Sequence, residues 1–331
     1  MQIKSIDIDI TERCNLACTY CYHKRSTNKD ISYKILNGIL RLIDLNNSKP
    51  LNIIFMGGEP LLAIDKIKYM VARAENCKFQ VVSNITLLTK DIANWFKKNK
   101  VSLHCSIDGP DYIQNKQRPL KETVGKENIK DKSSSELIEE NIEFARYVSP
   151  NDCIRMTICP ENISSYYECV KYVLGQLGYN SCYIAVIPQK IDYKILDSEM
   201  SKVADYCLEN NKSIKWSFNS NSNSNKYYCH AGIHKIAVSV NGKIYPCHRF
   251  AGTGVYMIGY IDGPLAPVSD DLHNNICKNC SICAGGCPFM NFTYGTIEKY
   301  GYKPPKDFCK IRQLEYKWAT YISKKKNHDT V

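Results

Sequence analysis

The sequence predicts an α/β protein: a parallel sheet of strand-helix units curling into a partial (β/α)6 barrel, followed by a small cysteine-rich module. Three observations predict it. Short β-branched apolar runs recur at residues 3–10, 51–56, 78–83, 101–107, 153–159 and 180–187. Amphipathic helical patterns separate them. Cysteines then crowd the carboxyl third at spacings typical of metal ligands.

Each run alternates apolar and polar residues or is continuously apolar, as strands do. The first helical pattern, ISYKILNGILRLIDL, places Ile35, Ile39, Leu42 and Ile43 on one face, and SSELIEENIEFARYV does the same with Leu137, Ile142 and Ala145. In such folds active sites lie at the carboxyl ends of the strands, so chemistry is expected in the loops that follow them. Two segments break the rhythm. The charged stretch from Pro119 to Ser135 reads equally as a substrate-facing loop or as disorder, and WSFNSNSNSNK at 216–226 reads as a flexible linker. The expected organisation is a core at 1–215, a linker at 216–227 and a cysteine-rich domain at 228–331.

A chain of 331 residues with 44% apolar composition buries a sizeable core, and its 17 cysteines are far above ordinary usage. The amino terminus, MQIKSIDIDI, lacks the basic segment and apolar core of a signal peptide, and no apolar run reaches membrane-spanning length. A cytoplasmic location follows as the expectation, where many cysteines mean metal or catalysis more often than disulfides. The net charge of +11 is spread along the chain and is densest at Lys324, Lys325 and Lys326. Ten ligating thiolates and three doubly positive cluster cores would reduce it to about +7. A solvated basic surface that attracts an acidic peptide is favoured over nucleic-acid binding.

The run CKNCSICAGGCP places Cys277, Cys280, Cys283 and Cys287 at spacings of two, two and three and follows the last with proline. Zinc sites take closely spaced pairs separated by a longer loop, whereas this is the bacterial ferredoxin run, in which the fourth cysteine serves a different cluster. A remote fourth ligand is therefore needed for the first three. Other partners are needed for Cys287. At the end of the first strand, IDIDITERCNLACTYCY sets Cys14, Cys18 and Cys21 on one loop. Three thiolates hold three irons of a cubane cluster and leave one iron open; a zinc site completed by His23 is the poorer alternative.

This C-x3-C-x2-C loop, with Tyr20 before its last cysteine, resembles that of the radical S-adenosylmethionine (SAM) enzymes. The resemblance implies that the open iron chelates SAM, and that one electron from the cluster cleaves it to a 5'-deoxyadenosyl radical that abstracts hydrogen. Gly57, Gly58, Glu59 and Pro60 match the family's GGEP turn, which implies contact with the methionine ammonium. The segment VSLHCSIDGPDYIQNKQRP resembles the family's fourth-strand motif, with Ser106 and Asp108 near the cofactor and Arg118 closing the motif. Arg155 in CIRMTICPEN is the implied partner of the methionine carboxylate. SNIT at 83–86 departs from relatives that carry glycine after the asparagine, which puts a cofactor role for Asn84 in doubt.

Cys229, Cys247, the ferredoxin-like run and Cys309 resemble the SPASM domain, which holds two auxiliary 4Fe-4S clusters. The resemblance implies that Cys277, Cys280, Cys283 and Cys309 hold the outer cluster, and that Cys229, Cys247 and Cys287 hold the inner one. Gly285 and Gly286 let backbone N–H groups approach the sulfurs. The two-residue gap between Cys280 and Cys283 is shorter than the family's usual five. No cysteine stands at Lys235, so the inner cluster either keeps an iron open for substrate or is capped by a distant residue such as Cys207. The remaining cysteines read as small buried residues.

YPCHRF with IGYIDG downstream most resembles maturases of ribosomally made peptides, which install thioether or carbon-carbon crosslinks. Sulfatase-maturing relatives carry an aspartate base where His248 stands here. His248 is thus a candidate general base, or a histidine that only hydrogen-bonds near a cluster. Other radical chemistry (formylglycine formation, epimerisation, alcohol dehydrogenation) and a non-catalytic iron-sulfur electron carrier are the alternatives. The implied partners are a ribosomally made precursor peptide and an external electron donor such as flavodoxin or ferredoxin. Because the chain begins at its first strand, leader recognition is expected to fall to a separate leader-binding protein or to the basic surface.

Overall fold

The computed structural model describes residues 2–23, 28–47, 50–121, 132–151, 153–216, 229–251, 253–268, 272, 282–283, 285–298 and 301–328. Most of the charged stretch, the linker beyond Trp216, and Cys277 and Cys280 lie outside the described residues. The chain forms two compact units. Unit one contains Met1–Ser106, Gln114–Asp152 and His230–Ser269; unit two contains Ile107–Ile113, Cys153–Cys229 and Asp270–Val331.

In unit one, β1 (Ser5–Thr11), β2 (Leu51–Gly57), β3 (Cys77–Ser83) and β4 (Val101–Cys105) lie side by side in that order, all parallel. Between them run α1 (Tyr33–Leu45), α2 (Ile64–Val71) and α3 (Lys90–Lys98), as parallel neighbours require. Every residue of β1 after Ser5 is buried, so both of its faces are covered. Ser32 starts α1 by accepting from the Ile35 N–H at 3.3 Å. Its buried face is Leu36, Gly38, Ile39 and Ile43, with Ile35 and Leu42 only half-buried. Ile39 and Ile43 are buried as expected, and the buried face also takes in Gly38, where an added Cβ would stand 2.9 Å from Ile261.

The short α4 (Asp111–Gln117) leads to α5 (Ser134–Val148), which buries Leu137, Ile142 and Ala145 as expected. Ser133 closes a capping box: the Glu136 N–H donates to its hydroxyl at 3.3 Å, and its own N–H donates to the Glu136 carboxylate at 2.6 Å. Unit two holds a second parallel sheet of β5 (Ile154–Ile158), β6 (Ser181–Val186) and β7 (Ser213–Trp216), with α6 (Tyr166–Lys171) and α7 (Tyr193–Glu209) between strands. All six expected strands are present, with ends within two residues of expectation.

The chain then returns to the first sheet. Strand β8 (Lys235–Val238) pairs in parallel with the open edge of β1, Asp7 opposite Ala237, and β9 (Lys243–Tyr245) and β10 (Gly259–Tyr260) follow antiparallel. The sheet order is β10-β9-β8-β1-β2-β3-β4, which places β1 inside the sheet. In unit two, α8 (Pro288–Tyr294), a ribbon of β11 (Thr296–Glu298) and β12 (Gly301–Lys303), and α9 (Lys306–His328) complete the chain, with α9 packed along α7. Among the described residues, no helix is long and apolar enough to cross a membrane.

Ser133→Ala removes one half of the α5 capping box at a cost of about 1 kcal/mol. Hydrogen exchange at the first-turn amides of α5 should accelerate about fivefold, with the α3 amides unchanged; unaltered exchange would show that the box does not hold this end.

Candidate active site

Three cysteines sit on the loop that leaves β1, and this loop is held by its backbone. On one side, the Gly58 and Glu59 N–H groups donate to the carbonyls of Thr11 and Arg13 at 2.8 and 2.7 Å. On the other, Ala17 and Thr19 donate to the carbonyls of Pro119 and Gln117 at 2.8 and 2.9 Å, and Lys121 donates to that of Asn15 at 2.8 Å. Cys14, Cys18 and Cys21 are outside any disulfide, and their side chains are partly accessible. The GGEP turn has no room for other residues: a Cβ on Gly57 or Gly58 would stand 2.2 Å from Thr11 O or 2.0 Å from Arg13 O. Gly57 also takes φ +130°.

The charged and polar groups around the loop are mostly committed to holding it. Arg13 donates to both Asp30 oxygens at 2.8 and 2.7 Å and to Leu62 O at 2.7 Å. The Glu59 carboxylate is buried and accepts from the Leu61 N–H at 3.0 Å, the Ser83 hydroxyl at 2.8 Å and the Asn84 N–H at 2.8 Å. Burial pushes its carboxyl above the usual range against the pull of these donors. The Asn84 side chain donates to Asn15 at 3.0 Å, and Asn15 donates to Thr86 at 2.7 Å, which ties the cysteine loop to the end of β3. Glu59 and Asn84 are thus joined in one buried network that locks β2, β3 and the loop together. Arg118 is buried, with its guanidinium 5.6 Å from the Tyr20 ring centre.

Along β1 the two aspartates of IDIDI are buried. Asp7 accepts from Lys235 at 2.9 Å and lies 2.8 Å from His248 Nδ1, which a short turn (His248–Phe250) sets there directly after Cys247. Burial, the largest influence, opposes ionisation of Asp7, but the Lys235 ammonium and His248 together outweigh it and hold the carboxyl below its usual range. Burial pushes His248 below its usual value, against the pull of Asp7. Asp9 lies 4.0 Å from His23 Nε2. Burial, then the Asp7 and Glu12 charges, raise the Asp9 carboxyl well above its usual range, while burial and His248 push His23 down to about 4.

The other expected cofactor residues divide between the units. Ser106 stays in unit one, its N–H donating to Ser83 O at 2.9 Å. Asp108, in unit two, is buried and accepts from the Thr157 N–H at 2.9 Å, beside Arg155, whose guanidinium lies 6.0 Å from the Tyr183 ring centre. Of the auxiliary cysteines, Cys247 belongs to unit one, and Cys229, Cys283, Cys287 and Cys309 to unit two. Cys283 packs with Met290 and Phe308, the residue before Cys309, and half-buried Cys287 caps α8. Cys207 is wholly buried within α7.

Among the described residues, no three His, Cys, Asp or Glu side chains converge closely enough to hold a single metal ion. A cubane cluster takes one thiolate per iron and spreads its ligands more widely. Three accessible thiols on one backbone-held loop, with a glycine turn whose Cβ-free surface faces it, fit such a group. Sequence reasoning missed Asp7, Lys235, Asn15 and Thr86. The acid-apolar alternation of IDIDI signals an acidic strand face but not its partners.

Fold and loop together define a metal-dependent enzyme site at the carboxyl end of a parallel sheet. Residues 8–173 match the Radical SAM superfamily, and the chain belongs to that superfamily. An uncharacterized protein of Methanocaldococcus jannaschii is 33% identical over 182 residues, 52% of this chain and 59% of that protein, so under two thirds of that relative is matched. A cysteine-type anaerobic sulfatase-maturating enzyme of Clostridium novyi is 23% identical over 92% of this chain and 94% of its own length. The solved structure of native anSMEcpe with bound AdoMet and Cp18Cys peptide has a TM-score of 0.74 at 16% identity, covering 98% of this chain and 99% of that one. Streptococcus suis SuiB bound to precursor peptide SuiA gives 0.64 at 19% identity, over 92% and 76%. At these identities the structural likeness establishes the fold.

Glu59→Gln turns one acceptor of the buried network into a donor facing N–H and O–H groups, so stability should fall by about 1–3 kcal/mol. Thermal unfolding of the purified variant measures this, and an unchanged midpoint would mean that the carboxylate does not clamp the turn.

Proposed function

We propose that the chain is a radical SAM peptide maturase of the SPASM type, which acts in the cytoplasm on a ribosomally made precursor peptide and closes a thioether or carbon-carbon crosslink. The observation that carries this reading is the place of His248. Strand β8 returns to β1 and brings the residue after Cys247 to 2.8 Å from Asp7, on the strand that feeds the cysteine loop. A candidate base thus shares its support with the candidate radical-generating loop.

In this reading Cys14, Cys18 and Cys21 hold the SAM-binding 4Fe-4S cluster, and Tyr20, Gly57, Gly58, Glu59, Ser106, Asp108 and Arg155 line SAM. Cys229, Cys247 and Cys287 hold an inner auxiliary cluster, and Cys277, Cys280, Cys283 and Cys309 an outer one. When bound, SAM and the cluster supply a radical able to abstract hydrogen. The glycines of the GGEP turn let backbone approach the ligand, and Glu59 fixes the turn. His248, with Nδ1 donating to Asp7, presents Nε2 as the proton acceptor, and Asp7 orients the ring. Lys235 keeps Asp7 charged for that task, at the position where a further cysteine ligand is lacking. The likeness to folds solved with bound peptides supports a peptide substrate. An external electron donor supplies the electron, and a separate protein or the basic surface recognises the leader.

The near full-length likeness to a sulfatase-maturating enzyme favours formylglycine formation as the second reading. Product mass separates the two. Incubation with SAM, dithionite and short cysteine-containing peptides encoded nearby should give 5'-deoxyadenosine and a peptide lighter by two hydrogens. A cysteine converted to an aldehyde, with two hydrogens lost and its sulfur exchanged for oxygen, would select the sulfatase reading. One deuterium gained in heavy water at otherwise unchanged mass would select epimerisation, and no SAM cleavage would remove the enzyme reading. His248→Ala should lower crosslinked product by about 10²–10⁴ while 5'-deoxyadenosine still forms. Equal loss of both products would take His248 out of the proton step.

A further inference from the structure

Helix α9 begins beside a cysteine expected to ligate iron, and its outer face is a row of lysines. The inward side is apolar: Phe308, Ile311 and Leu314 are buried, and Arg312 and Glu315 neutralise each other there at 2.6 Å. Asp307 is bound by the Tyr193 hydroxyl. The outward positions Lys306, Lys310, Gln313, Lys317 and Lys324 are all exposed and follow the i, i+4, i+7, i+11, i+18 spacing of one helix face. Lys303, just before the helix, is also exposed. Asp197 engages Lys317 at 2.8 Å, well along the helix.

Three of these lysines stand where the cluster is expected. Cys309 is half-buried and stands between Lys306 and Lys310 in sequence, and Cys283 packs on Phe308 in the first turn. A Cβ on Gly286 would meet Phe308 at 2.8 Å, so the end of the ferredoxin-like run lies against this turn. Lys306 and Lys310 are about 6 Å apart along the helix axis. That is within one Debye length, roughly 8 Å at physiological ionic strength, so their fields add over the same spot.

We infer that the surface framed by Lys303, Lys306 and Lys310 around Cys309 is the docking site for an acidic one-electron carrier protein. The inference rests on the maturase reading, in which Cys277, Cys280, Cys283 and Cys309 hold the outer cluster. The carrier gives up one electron and the cluster gains it, with no further reactant. Redox encounters use small, weakly held interfaces, and lysines at such an interface steer an acidic partner and set its orientation more than they tighten binding. Within the first turns of α9, Asp307 is bound by the Tyr193 hydroxyl and Glu315 is paired inside with Arg312, while Asp197 engages Lys317 and also acts on Lys310, so the lysines outnumber the carboxylates that face them.

The test is calorimetric binding of oxidised flavodoxin to the anaerobically reconstituted protein. Wild-type affinity should fall as salt rises from about 50 to 200 mM, as binding between complementary charges does. The triple variant Lys303→Glu, Lys306→Glu, Lys310→Glu should bind about tenfold or more weakly, and a control with Lys78→Glu, Lys90→Glu, Lys98→Glu should stay within about twofold. Replacement of the same three lysines by glutamine should give a smaller loss in the same direction. Equal loss in the two triple variants, no loss in the first, or no binding of flavodoxin by the wild type would overturn the assignment. Iron content of the same samples separates the two possible failures. Missing auxiliary iron removes the maturase reading, whereas full iron with unchanged binding removes the docking site alone.

Discussion

In the proposed reading the loop after β1 gives its three cysteines to a cluster, so its backbone and its other side chains must hold it, and that constraint organises unit one. The loop after β1 is bonded through main-chain groups from the GGEP turn on one side and from residues 117–121 on the other, and the side chains of Arg13 and Asn15 add to this hold. The glycines follow from this, since any Cβ at 57 or 58 would occupy the carbonyls being bonded. So does the burial of Glu59, whose acceptors fix the turn that fixes the loop. Each of these bonds is worth only about 1 kcal/mol net, yet leaving a buried partner unsatisfied costs more, so the set behaves as one clamp.

Strand β1 carries a second load. Its inner aspartates are two buried carboxylates facing one lysine, and burial alone would neutralise both. Lys235 and His248 settle the first, which stays charged. The second lies 4.0 Å from His23, whose own proton burial disfavours, and is driven toward its neutral form. The pairing of β8 with β1 is therefore more than an extra strand. It delivers the cation and the imidazole that make an acidic strand tolerable, and the same step brings Cys247 to unit one.

Much of this was legible in the sequence because it is local. The six strands announce themselves by β-branched runs, α5 by Leu137, Ile142 and Ala145 on one face, and the cysteine loop and GGEP turn by spacing. What escaped is what joins distant segments. His248 and Asp7 are 241 residues apart, and Asn15 and Thr86 are 71 apart; no periodicity links them. On α1, Ile39 and Ile43 are buried as expected, whereas the burial of Gly38 against Ile261, far along the chain, has no local signal. Ile85 shows the same limit. It follows Asn84 where relatives carry glycine, and it adopts φ 57°, a left-handed conformation that costs a β-branched residue about 1–3 kcal/mol. Its side chain is fully buried, and its carbonyl accepts from Asn141 and Leu88 at 3.0 and 3.1 Å, so tertiary contacts hold what local preference resists.

The central claim is that one loop of unit one and the cysteines of the carboxyl third each hold iron-sulfur clusters. Iron and sulfide content after anaerobic reconstitution tests it most directly, in the wild type and in a variant with Cys14, Cys18 and Cys21 replaced by alanine. Three cubane clusters predict about 12 irons falling to about 8. About 4 irons in the wild type, or zinc in their place, would contradict the claim.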